Sequence, residues 1–158
     1  DVRINFSIGS MNEQVWKTNE PGAPGPMARM EAMQFLVENG ITAGVMMAPL
    51  LPGISDSEES INEVAGAAAE HKAQFSGANV LCLTPGSKEW FMPMLRETYP
   101  HLTTAYDKMY RKTYAPKEYT RMVLKAVDKA RWEWGLPVME PTKDLRGQQR
   151  QLELALTA

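Results

Sequence analysis

Gly40-Ile41-Thr42-Ala43-Gly44-Val45-Met46-Met47-Ala48-Pro49 is a short, almost wholly apolar run with glycine at one end and proline at the other. A run of that kind suits a buried strand of a parallel sheet. Just before it, Met30, Met33, Leu36 and Val37 recur at a helical period within Met27 to Asn39, and Gly40 is placed to stop that helix. Just after it, Pro49-Leu50-Leu51-Pro52-Gly53-Ile54 forms a loop, and Ser55 with Glu58, or Asp56 with Glu59, has capping-box spacing. The helix so opened takes its apolar face from Ile61, Val64, Ala65, Ala68 and Phe75, and Ser76-Gly77 is expected to close it before a strand from Ala78 to Leu83.

Upstream, Val2-Arg3-Ile4-Asn5-Phe6-Ser7-Ile8 alternates apolar and polar residues as a strand does. The prolines and glycines of Asn19-Glu20-Pro21-Gly22-Ala23-Pro24-Gly25-Pro26 then exclude regular structure and make a long loop. Strand, helix, strand, helix, strand predicts an α/β fold with a parallel sheet and right-handed crossovers. The remainder reads as helical. Trp90, Phe91, Met94 and Leu95 mark one helix, and Leu102, Tyr106, Met109 and Tyr110 a second. Pro116 opens the strongest helix, with Tyr119, Met122, Val123, Ala126, Val127 and Ala130 at three-and-four spacing up to Gly135. The expected organisation is a sheet unit over 1–86, a helical extension over 87–135 and a poorly packed tail over 136–158.

The 158 residues, 44% hydrophobic, suffice for one domain with its own core. A net charge of -2 gives no global positive field for nucleic acid or an anionic membrane. No apolar run approaches the roughly 18 to 20 residues of a membrane span, and Asp1-Val2-Arg3 is unlike a signal peptide, so a cytoplasmic protein without a membrane partner is expected. Cys82, the single cysteine, rules out an intramolecular disulfide and any cysteine-only metal site within the chain. The 11 methionines read as adaptable core filling. A chain that opens inside a strand is expected to have lost an N-terminal part.

The first strand sets Arg3, Asn5 and Ser7 on one face and Val2, Ile4, Phe6 and Ile8 on the other. A barrel lumen holding a polar ligand would satisfy that polar face, and so would water at a sheet edge. Ser7, Ala48 and Leu83 stand at the carboxyl ends of the strands, where α/β folds bind ligands.

Phe6-Ser7-Ile8, Glu20-Pro21-Gly22, Gly40-Ile41, Gly44-Val45-Met46-Met47-Ala48-Pro49 with Leu51-Pro52-Gly53, and Asp56-Ser57 together resemble the second half of radical S-adenosylmethionine (SAM) proteins related to spore photoproduct lyase, a DNA-repair enzyme. Tyr114-Ala115-Pro116-Lys117-Glu118-Tyr119 is similar to a C-terminal element of bacterial members of that group, and the resemblance covers roughly residues 2 to 135. It implies a partial (β/α)6 barrel in which these strands are the fourth, fifth and sixth. It implies that Ser7 contacts the methionine or ribose part of SAM, that Ala48 and Pro49 meet the nucleoside, and that Leu83 and Pro85 pack beside adenine. Glu20 would touch the ligand or anchor its loop. The family's CxxxCxxC loop, which binds a [4Fe-4S] cluster, is absent here. The intact enzyme would cleave SAM reductively to a 5'-deoxyadenosyl radical and abstract hydrogen from a substrate; this chain alone would not.

Other residues read more plainly. Cys82 behaves as a small hydrophobe in a strand, His71 and His101 have no second ligand at metal spacing, and Glu58-Glu59 complements a helix N-terminus. Lys117, Arg121, Lys125 and Lys129 form a stripe that suits a solvated helix face, although relatives acting on DNA leave nucleic acid open as a partner. Two other functions stay open: a fragment of an ordinary (β/α)8-barrel enzyme, and a non-catalytic interaction domain.

Overall fold

The computed structural model describes residues 2–139. Three parallel strands, β1 (Arg3–Ser7), β2 (Thr42–Leu50) and β3 (Ser76–Val80), form one sheet in the order β1-β2-β3. The first crossover carries α1 (Glu13–Asn19) and α2 (Pro26–Glu38), and the second carries α3 (Glu58–Glu70). Beyond β3 come α4 (Ser87–Thr98), a single 3-10 turn, α5 (Thr103–Met109) and α6 (Lys117–Glu133). The α/β class and parallel sheet expected from the sequence are therefore present.

The apolar residues of β2 explain its central place. Ala43, Val45 and Met47 are fully buried against a cluster built from Met30 and Met33 of α2, Ile61, Val64 and Ala68 of α3, and Val123 and Val127 of α6. Burying each large side chain of this kind contributes about 1.5–3 kcal/mol relative to leaving it in water. Ile4 and Phe6 of β1 join the same cluster, whereas Arg3, Asn5 and Ser7 on the opposite face are exposed. β1 is an edge strand among the described residues, so its polar face meets solvent here. A second cluster sits past the strand ends, where Leu51, Leu81 and Leu83 pack on Phe91, Leu95, Tyr106 and Tyr110.

Several boundaries differ from the expected ones. α1 was not foreseen; it is opened by Asn12, whose side chain accepts from the N–H groups of Gln14 and Val15. β2 runs on through Pro49 to Leu50, across a cis Ala48-Pro49 peptide and a register shift. Ser57, not Ser55 or Asp56, caps α3, its hydroxyl accepting from the Ser60 N–H at 3.1 Å. Phe75 lies outside α3, and Ser76-Gly77 belongs to β3. Gly44 makes that placement possible, because a Cβ there would lie 2.2 Å from the Phe75 carbonyl oxygen. Leu136 is buried and Val138 bridges in parallel to Ser76, so 136–139 are packed against β3 rather than loose. The rest of the expected tail, 140–158, lies outside the described residues. Among the described residues, no helix is long and apolar enough to cross a membrane.

Candidate functional site

At the carboxyl ends of the strands lies a cavity of about 230 Å3. Its floor begins where β1 stops. The Ile8 N–H donates to the Met46 carbonyl at 2.9 Å, and Gly9 then passes so close to β2 that a Cβ would come 2.6 Å from the Pro49 carbonyl oxygen. Only glycine permits that approach, and it brings Ile8, Gly9 and Ser10 into the cavity beside Pro49. Leu51, Leu81 and Leu83 supply apolar walls from the ends of β2 and β3, and Phe91 of α4 closes the far side.

The polar groups come from α1, the loop after it, α2 and the loops that follow β1 and β2. Trp16 donates its indole N–H to the Ala23 carbonyl at 3.1 Å, which folds the loop under the ring, and a Cβ at Gly25 would stand 3.6 Å from that ring. Asn19 donates to the Val15 carbonyl at 2.8 Å and the Tyr99 hydroxyl at 3.3 Å, while its buried Oδ1 has no hydrogen-bond partner among the described residues. An acceptor left in that condition costs on the order of 1–3 kcal/mol, which a ligand donor would recover. Ser10 and Ser55 are both buried, and each hydroxyl accepts from a backbone N–H, of Asn12 and Leu51 respectively, at 3.0 Å. Each keeps its own O–H proton to give. Arg29 forms an ion pair with Glu20 at 2.5 Å at the mouth.

The structure thus gathers Glu20, Pro49 and Leu83 on one cavity and leaves Ser7, Ala48 and Pro85 off its lining. Ser7 is exposed because the alternation along β1 turns its side chain to the solvent face; its carbonyl is engaged by Arg29. Ala48 is half-buried, one residue short of the lining, and Pro85 is exposed in the turn before α4. Glu20 is half-buried and anchors its loop through Arg29. Trp16, Asn19, Arg29 and Ser55 were not foreseen. Asn12 followed by Glu13, an N-cap signal, was the clue to the first two, and Pro26 at the first position of a helix was the clue to the third.

Cys82 is a half-buried free thiol that lines the cavity rather than sitting sealed in a strand. His71 donates from Nδ1 to the Ala67 carbonyl at 2.7 Å, just past the end of α3. Among the described residues there is no group of three or more His, Cys, Asp or Glu side chains able to hold a metal ion.

No protein-family model matches this chain, and no solved structure matches it. It is similar to uncharacterised proteins of Mycobacterium bovis and of two strains of Mycobacterium tuberculosis, each 29% identical over 127 residues. The alignment takes in 80% of this chain and 37% of each relative, so the chain spans little more than a third of the length of the curated relatives it matches.

Proposed function

We propose that the chain is the SAM- and substrate-side portion of a radical SAM enzyme, its strands the fourth, fifth and sixth of a partial (β/α)6 barrel. The observation that carries the reading is a cavity at the carboxyl ends of three consecutive parallel strands, where α/β enzymes bind their ligands. Its chemistry suits one end of SAM. Leu83 and Phe91 offer an apolar slot for a flat purine, and the Asn19 acceptor with the Ser10 and Ser55 hydroxyls offers polar contacts for the ribose or the amino-acid end. Its 230 Å3 falls below the roughly 300 Å3 at which small-molecule sites usually begin, so the remaining wall comes from sequence outside these residues. The greater length of the mycobacterial relatives is consistent with that division.

A [4Fe-4S] cluster does not fit this chain, which has one cysteine where the family uses three. No step through the cluster follows from these residues. Bound SAM would supply the 5'-deoxyadenosyl group, its cleavage needing an electron from a cluster held by residues outside this chain; the part these residues would play is to hold one end of SAM, to exclude water with Leu83 and Phe91, and to fix the mouth with Arg29 and Glu20.

Three measurements test the reading. The coding sequence upstream of Asp1 is expected to contain CxxxCxxC, and its absence returns the chain to an ordinary (β/α)8-barrel enzyme or an interaction domain. The isolated chain is expected to stay colourless after anaerobic iron–sulfide treatment and to bind SAM weakly or not at all by calorimetry. A stoichiometric cluster spectrum, or micromolar affinity for SAM, overturns the division of labour proposed here.

A further inference from the structure

Residues 108–125 hold six lysines and arginines and one acid, Glu118, in a chain whose net charge is -2. All six cations are exposed, and among the described residues none of them is in an ion pair. Lys129, the fourth residue of the stripe on α6, is different: Glu58 of α3 holds it at 2.8 Å. The unpaired charge is therefore concentrated at one end of the helix.

Lys117, Arg121 and Lys125 line one side of a groove between α6 and the Tyr114-Ala115 segment before it. Leu124, Ala115 and Thr120 also line it, and Tyr114 stands beside them 72% exposed. Asp128 closes the far end, its carboxylate already engaged by Arg131 at 3.1 Å. At the other end the groove continues over Val80 and Leu81 to Cys82, which also lines the cavity at the strand ends.

We propose that this groove docks an acidic, amphipathic segment of a protein partner. Cations four residues apart on a helix stand about 6 Å apart, the same spacing as carboxylates four apart on a facing helix. Aliphatic side chains of that segment would lie on Leu124, Ala115 and Tyr114 while its carboxylates meet the three cations, the helix-in-groove mode of recognition. Single-stranded nucleic acid fits less well. It needs successive aromatic faces for stacking, and among the described residues Tyr114 is the sole aromatic lining the groove. The inference stands independently of the SAM reading.

Fluorescence anisotropy on the 158-residue chain tests it with three labelled probes. These are a helical peptide with Glu at every fourth position and Leu on the adjoining face, the same peptide with Ser for Leu, and a single-stranded oligothymidylate. The Leu peptide is expected to bind, the Ser peptide about tenfold or more weakly, as loss of two buried methylenes predicts, and the oligonucleotide more weakly than the Leu peptide. The K117E/R121E/K125E variant should lose the Leu peptide while keeping its helical circular dichroism, because all three side chains are exposed and have no ion-pair partner among the described residues. Tyr114→Ala should weaken the Leu peptide without touching the charge. Tighter binding of the oligonucleotide, equal binding of the two peptides, retention of the Leu peptide by the charge-reversed variant, or no binding of any probe overturns the proposal.

Discussion

Arg29 donates to the carbonyl of Ser7 at 2.6 Å, which ties the first turn of α2 to the last residue of β1. The same guanidinium donates to the Pro24 carbonyl at 2.7 Å and to the Glu20 carboxylate at 2.5 Å. With 13% of its side chain exposed, Arg29 spends its planar fork on two backbone carbonyls and one carboxylate. Strand end, loop and helix start are thereby set relative to one another by one residue.

Replacing Arg29 by Met should therefore destabilise the chain by about 1–3 kcal/mol, through the loss of three charge-assisted hydrogen bonds from a largely buried guanidinium. Arg29→Lys should recover only part of this, because a compact ammonium cannot reach three acceptors set out in a fork. Chemical denaturation measures both. A loss under about 0.5 kcal/mol for the Met variant would mean that water satisfies these groups as well as the guanidinium does.

Gly44 and Gly77 make a second, paired prediction. A Cβ at Gly44 would meet the Phe75 carbonyl oxygen at 2.2 Å and its ring at 2.6 Å, so the β2–β3 pairing itself must give way. At Gly77 the nearest atoms are the Cε and Sδ of Met46 at 3.1 and 3.2 Å, the end of a flexible side chain that can swing aside. Gly44→Ala should cost about 1–3 kcal/mol or more, and Gly77→Ala much less. Equal shifts in thermal midpoint for the two variants would refute the argument.

The elements that the sequence made legible are those whose signals are local. β2 and α2 announce themselves by an apolar run, a helical period and the glycine and proline between and beside them. The misreading around Phe75 has a tertiary cause. Phe75 continues the apolar period of α3, yet the helix stops at Glu70, Lys72 takes a left-handed φ of 62°, and Phe75 turns onto Gly44 instead. Leu83 was reachable because topology alone puts strand ends together, whereas Glu20 and Pro49 came from the family resemblance. Ser7 misled because the cavity uses the backbone after β1, and the alternation that marks the strand also turns that hydroxyl away. For Arg29 the sequence held only Pro26, which marks the start of its helix but not the acceptors that a cation in the first turn would find.

Tyr106, Tyr110 and Tyr119 carry the last prediction. Tyr106 donates to the Pro52 carbonyl at 2.8 Å, Tyr110 to the Leu81 carbonyl at 2.9 Å, and Tyr119 to the Asp56 carboxylate, which also accepts from the Gly53 N–H. Burial pushes all three phenols above their ordinary range; for Tyr119 the bond to Asp56 adds to the rise. A phenol whose folded pKa is raised stabilises the fold fully below the unfolded value of about 10, and that contribution is lost as pH climbs from there toward the folded value. Tyrosinate absorbance from these residues should accordingly appear in step with the loss of helical circular dichroism. Tyr119→Phe removes one hydrogen bond and should cost about 1 kcal/mol at neutral pH. The gap from the parent chain should then narrow above a pH of about 10, because the variant has one fewer phenol to ionise on unfolding. Ionisation of all three phenols while the helices remain intact, or a gap that does not change with pH, would show that their protons are not held by the fold.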